Sequence, residues 1–227
     1  MTHHSHIVRA LLFAAALAPA ISTGAAHAND ISFVSTAGRN TNACTLAAPC
    51  RTLQRAIGVT AAGGEIRVLD SGSFGQNATI RKSLTISGGG NTVLFGNPII
   101  ISKAGAVVAL RGLTLNGQGA FADGIVIDAA ATVHIEDCLI HGFGSDGITV
   151  ASGEIEVFVT GTTVRDGGTG LEVKSGSIAR ISNSTFTANT TGIRNFHVVE
   201  TRGNNTIRGN GTDVLGGSLA LTPFPAL

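Results

Sequence analysis

Five side chains in this sequence combine types and spacings that suit chemistry on a polymer. Asp123 and Asp146 are 23 residues apart, and each stands directly before a Gly-Ile pair. His141 and Arg165 are 24 apart, each following the last apolar residue of a short alternating run, and Asp166 sits beside Arg165. If each interval carries the chain round once, the two aspartates stack, and so do the imidazole and the guanidinium. Two stacked carboxylates could bind Ca²⁺ together with backbone oxygens. Paired acids could instead hydrolyse a glycosidic bond. The candidate catalytic residues are therefore His141, Arg165 and Asp166, and the candidate metal ligands are Asp123 and Asp146. A plainer account competes with both. "GSDG" and "RDGG" are ordinary turn sequences in which Asp bonds to nearby backbone, and His or Arg beside a turn is usually solvated.

Whether these residues meet depends on the repeat that carries them. Gly124, Gly147, Gly170 and Gly192 recur at spacings of 23, 23 and 22, followed by Ile125, Ile148, Leu171 and Ile193. A second column holds Leu110, Ile135, Val159 and Ile181, and five residues beyond each lie Leu115, Ile140, Val164 and Phe186. Small or polar residues ("EDC", "TGT", "SNS") separate these two columns. Each unit is thus a set of short alternating strands divided by turns.

A period of this length means a solenoid or an array. The apolar positions alternate with period 2, no 3.6-residue pattern is sustained after Gly64, and the dense Leu frame of a leucine-rich repeat is absent. A propeller blade needs about twice the length. The pattern predicts an all-β fold: a right-handed parallel β-helix solenoid of about seven coils, ~35 Å long at the spacing of paired strands. Ile, Leu and Val should fill the interior, with Gly or Asn at corners that need φ > 0. "TLQRAIGVTAAGG" predicts a short N-terminal capping helix, with Thr52 as N-cap, Leu53, Ala56 and Ile57 on one face, and Gly63-Gly64 as its stop. The expected organisation is a signal peptide over 1–28, an N-terminal strand, disulfide loop and capping helix over 29–63, coils over 64–217, and a C-terminal cap or tail over 218–227. In that tail, Pro223 and Pro225 should end the ladder.

The first 28 residues have Arg9, an apolar run from Ala10 to Ala18 and the small-x-small sequence Ala26-His27-Ala28. They read as a secretory signal peptide, so the protein is expected to be secreted or periplasmic. The run is too short to span a bilayer, and no membrane span is expected in the mature chain. The full sequence has 15 basic and 14 acidic residues, and removing Arg9 leaves 14 of each. A net charge of zero argues against nucleic acid as a partner. In an oxidising compartment Cys44 and Cys50 read as a disulfide; a zinc half-site is the alternative, though no second ligand pair lies nearby. Cys138 shares a repeat position with Leu113, Thr162 and Ser184 and reads as a small buried side chain. The Asn-x-Ser/Thr triplets at Asn77, Asn183, Asn189, Asn204 and Asn210 could be glycosylation acceptors, but their repeat-specific positions favour turn and ladder asparagines.

At this point the chain resembles the right-handed parallel β-helix proteins of the pectin lyase-like superfamily. The most specific part is "FVSTAGRNTNACTLAAPCRTLQRAIGVTAAGGEIRVLDSGSFG", where Pro49, Thr52, Leu53, Gln54, Ala56 and Gly63-Gly64 match the opening of many secreted members, and Phe74 holds the place of an aromatic that often closes the first coil. "ISNSTF" at Asn183 is the clearest instance of the superfamily's coil pattern. The resemblance implies the fold. It also implies that Arg165 could serve as base or charge clamp in uronate elimination. Members include lyases, hydrolases, epimerases and esterases of polysaccharides, and also spikes and adhesins, so fold alone does not give activity.

Several departures weigh against an enzyme. The paired-Asp motifs of pectin-type hydrolases are missing, coil lengths are nearly uniform, and there is no Trp or Tyr to stack on sugars. The expectation is a surface or envelope protein that binds a polysaccharide or another partner without catalysis. A small polysaccharide lyase or glycoside hydrolase is the alternative, with Ca²⁺ as a possible cofactor. Convergence of the five side chains in one groove separates the two.

Overall fold

The computed structural model describes residues 28–75, 78–94, 97–119, 122–216 and 222–223. Residues 1–27, nearly all of the expected signal peptide, and most of the last ten residues lie outside the described residues. Strands of two to nine residues stack into three parallel sheets, called A, B and C here. Sheet A has nine strands and sheets B and C have seven each among the described residues. The chain visits A, B and C in turn, then returns to A one layer higher. Seven rungs are separated by six steps, so the solenoid makes about six turns, slightly fewer than the seven coils expected.

The apolar columns of the repeat are the interior. Leu110, Ile135, Val159 and Ile181 are partners in register on sheet A, and Leu115, Ile140, Val164 and Phe186 on sheet B. Ile125, Ile148, Leu171 and Ile193 do the same on sheet C. All twelve are buried. Alternation sends every second side chain inward, and equal coil lengths set each inward residue beneath its equivalent. The result is one continuous apolar column from Val34 to Val199.

The repeating glycine has a different reason from the one expected. None of Gly124, Gly147, Gly170 and Gly192 has positive φ. A Cβ at Gly124, Gly170 or Gly192 would stand 2.5–2.7 Å from the carbonyl oxygen of the next coil. These positions are glycine because backbone approaches backbone. Positive φ falls instead on corner residues such as Asp137, Gly161 and Asn183 between sheets A and B.

The N-terminal edge is closed in two ways. The helix Leu53–Val59 buries Leu53, Ala56 and Ile57, and the Thr52 Oγ1 accepts from the Arg55 amide. It ends at Val59, not at Gly63-Gly64. Thr60 turns extended and returns its N–H to the Ala56 carbonyl, and the glycines lie inside the strand Thr60–Val68. The Cys44–Cys50 disulfide forms. Its loop covers the outer edge of the first strand, Asn29–Val34. The Phe33 amide donates to the Cys44 carbonyl at 2.8 Å, and the Cys50 amide to the Phe33 carbonyl at 2.9 Å. Unpaired strand edges invite association, and this loop satisfies one. At the other end, Thr222 and Pro223 pair with Glu200 and Thr201 and add a last short strand to sheet A. Pro223 thus extends the ladder as an edge residue, the place where proline is tolerated; Pro225 lies outside the described residues.

Candidate functional site

The register brings the sequence candidates together in two groups, on different sheets. On sheet B, Asn116, His141, Arg165 and Thr187 are partners in consecutive coils. Arg165 forms an ion pair with its neighbour Asp166. Asp166 has φ +57° and occupies the corner place held by Gly142, Ala188 and Gly209 in neighbouring coils. Asp tolerates that left-handed geometry better than most residues, which explains an acid at this place without catalysis. Burial and the Arg165 charge hold His141 below its usual pKa, against the opposing charge of Asp166. A neutral imidazole can accept a proton, so the pair His141–Arg165 retains base-and-clamp chemistry in principle. Beside it runs an open groove of about 540 Å³, lined by Asp166, Asn189 and the backbone of Gly144, Gly167 and Gly168.

The second group opens sheet C. Asp123 Oδ1 accepts from the Asp146 amide at 3.1 Å. The Thr149 hydroxyl lies between both carboxylates, 3.5 Å from Asp123 Oδ2 and 3.3 Å from Asp146 Oδ2. Asp146 titrates above its ordinary value. Burial is the main cause, the charges of Glu172 and Asp123 add to it, and the Thr169 hydroxyl and Arg194 oppose it. Glu172 is buried and held by Arg194 at 3.1 Å and Lys174 at 3.3 Å. A carboxyl whose pKa burial raises, set beside a second carboxyl, is an arrangement that acid–base chemistry can use. As a Ca²⁺ cage the group falls short. One Asp123 oxygen is committed to a backbone N–H, whereas Ca²⁺ takes six to eight oxygens. Among the described residues no cluster of three or more His, Cys, Asp or Glu is placed to hold a metal.

The two groups do not join. Among the described residues no hydrogen bond or ion pair links His141, Arg165 or Asp166 to Asp123 or Asp146. His141 responds to Arg165 and Asp166, while Asp146 responds to Glu172, Asp123 and Arg194.

Sheet A carries an arrangement that sequence reasoning missed. His134, Phe158 and Arg180 are partners in successive coils. The His134 and Phe158 rings stack at 5.1 Å, and the Arg180 guanidinium lies 5.3 Å from the Phe158 centroid. Arg180 also bonds Glu200 at 2.6 Å and Glu156 at 3.0 Å. Next to this stack is a cavity of about 130 Å³ lined by Phe158, Thr160, Arg180, Ile181, Ser182 and Arg202. The signal was available in the repeat: "TVHIE", "EVFVT" and "IARIS" align, and their third residues form this column. The column mixes His, Phe and Arg, so no single residue type marks it in the sequence.

Glu172 and Arg194, and Arg180 and Glu200, are cross-coil ion pairs in register. Cys138 is buried in a ladder with Thr162 and Ser184, whose hydroxyls accept from the Cys138 and Thr162 amides. Burial pushes its thiol up to about 11, so it is a packing residue. Asn183 and Asn204 bond to each other, and Asn189 to Asn210. Asn77 lies outside the described residues. No helix among the described residues is long and apolar enough to cross a membrane.

Residues 59–212 match the family described as the right handed beta helix region, and the chain belongs to that family. Neither the curated proteins nor the solved structures contain a match to the chain.

Proposed function

We propose that this protein is an exported, non-catalytic rod that holds a polysaccharide, in solution or in the cell envelope, along sheet A. The cavity beside Phe158 carries the reading. It presents two guanidinium groups, two hydroxyls and an aromatic edge on one rigid face, a mixture that suits the hydroxyls and C–H edges of a sugar. Both faces of the Phe158 ring are covered by its neighbours, so sugar contact runs through its edge and the polar groups around it. Export is supported by the character of residues 1–28 and by a disulfide, which persists in oxidising compartments. The test is retention of the purified protein on a panel of immobilised polysaccharides, with and without Ca²⁺. Thr160→Arg fills the cavity and should abolish retention. A wild-type protein that no polysaccharide retains overturns the proposal.

A second reading rests on Asp146, whose raised pKa beside Asp123 suits a general acid. It predicts reducing ends or unsaturated products from some polysaccharide, lost in Asp146→Asn and kept in Thr160→Arg. That pattern would replace the binding rod with a small hydrolase or lyase.

A further inference from the structure

A net charge of zero conceals how the charges are placed along the rod. Ile80, Ile101, Ile127 and Val150 are partners in consecutive coils of sheet C. The stretch that leads from each of them to sheet A carries one exposed charge, Arg81, Lys103, Asp128 and Glu154 in order, with the less exposed Lys82 beside Arg81. None of the four has an ion-pair partner among the described residues. The edge therefore reads positive, positive, negative, negative in four successive coils. The surface between these charges is made of small residues, with Ala104, Gly105, Ala129 and Gly153 lining a shallow groove of about 370 Å³ that ends on Asp128 and Glu154. Val107 lies beside it, half exposed.

Such a line is complementary to itself when reversed. A two-fold axis across the rod, midway between the Lys103 and Asp128 coils, sets Lys103 of one copy against Asp128 of the other. It also sets Arg81 against Glu154. Symmetry makes each pairing twice, as an isologous contact requires. A parallel, in-register neighbour would oppose like charges at all four coils. Small residues let two such edges approach closely, and Val107 supplies apolar area at the rim.

We infer that a second copy of this chain docks antiparallel along the corner between sheets C and A. The four charges span three coil steps, about 14 Å. That strip is well below the ~800 Å² per partner of a standard interface, so the dimer is weak, reversible and dependent on exposed charge pairs. Such pairs are screened by salt.

Sedimentation velocity of the purified protein tests this at high protein concentration. The expected result is a monomer–dimer equilibrium at about 20 mM salt and monomer at about 500 mM. Nothing larger than a dimer should form, because the two-fold closes. Lys103→Glu and Asp128→Lys should each weaken the dimer about tenfold by turning two attractions into repulsions. The double swap K103E/D128K should restore it. Both substituted positions are exposed, and circular dichroism confirms folding of the three variants. Four outcomes overturn the inference: monomer at every salt concentration, a dimer indifferent to salt, a double swap as weak as the singles, or growth beyond the dimer. Capture of polylysine by a protein that stays monomeric would also overturn it, and would assign the acidic coils to a basic partner.

Discussion

The outer faces of sheets A and C use the same few side-chain types and reach opposite electrostatic results. On sheet A an acid meets a base one coil away. Arg111 binds Glu136, and Arg180 sits between Glu156 and Glu200. Those acids raise the Arg180 pKa further above its ordinary value. On sheet C acid follows acid from Asp123 to Asp146, with Glu172 close beyond, and burial, reinforced by those charges, raises the Asp146 pKa. Neither result follows from neighbours in the sequence. The charged and hydrogen-bonding partners are 20 to 25 residues away, in the adjoining coil. In a solenoid, the column through successive coils is the unit of surface chemistry.

Arg180→Ala should break the sheet A side most severely. It removes two ion pairs and the cation over Phe158, and leaves Glu156 and Glu200 facing a gap. Exposed pairs contribute at most ~1 kcal/mol each and a cation–π contact about 0.5–1 kcal/mol, so a loss of about 2 kcal/mol is expected in denaturant unfolding. A loss under about 0.5 kcal/mol, the scale of an ordinary surface substitution, would mean the column is decorative.

Glu172→Gln should bring sheet C closer to ordinary behaviour. Arg194 and Lys174 lose their shared carboxylate, which destabilises by about 1–2 kcal/mol at a mostly buried position. At the same time one of the charges holding the Asp146 pKa up disappears. The Asp146 carboxyl, followed by NMR through a pH titration, should then move down toward 3.8. If it stays in place, burial alone sets its pKa and the acid column is irrelevant.

The fold was far more legible than this chemistry. Inward residues announce themselves because water selects for apolarity at every second position, and three columns read from spacing are the three interior ladders. Spacing also stacked His141 with Arg165 and Asp123 with Asp146. It could not say that these pairs lie in separate groups, because the turn from sheet B to sheet C is a three-dimensional distance. Outward columns carry no single selected property, so Phe158 passed unnoticed between His134 and Arg180. The glycine column is legible in the spacing, but its cause is not. A carbonyl from the next coil, invisible in one dimension, excludes the Cβ there. Likewise a summed charge hid the ordered edge of Arg81, Lys103, Asp128 and Glu154.

Asp146→Asn gives a smaller effect of opposite sign. The folded protein binds the Asp146 proton more tightly than the unfolded chain does, so stability falls as pH rises above 3.8 and through the raised folded value. Above that interval the full penalty of the buried charge persists. The amide carries no charge, and the variant should be more stable than the wild type at pH 7, by a few degrees in Tm at most. Below about pH 4 the advantage should vanish, since there Asp is protonated in both states. Equal stabilisation at pH 3 and pH 7 would show that hydrogen bonding, not charge, is responsible.

The smallest effects belong to sheet B, where they give the most selective test of the column rule. His141 is held below 6.5 in the folded state. As pH falls from 6.5 through the folded value, the unfolded chain takes up a proton first and stability is lost; above 6.5 it is fully present. Two neighbours act on this imidazole with opposite sign. Arg165, its partner in the next coil, lowers the pKa, and Asp166 raises it. Arg165→Gln should therefore move the His141 titration upward, and Asp166→Asn should move it further down, each read from the imidazole resonances by NMR. Shifts in the same direction would show that these substitutions act by reshaping the corner rather than through the charges of the adjoining coil.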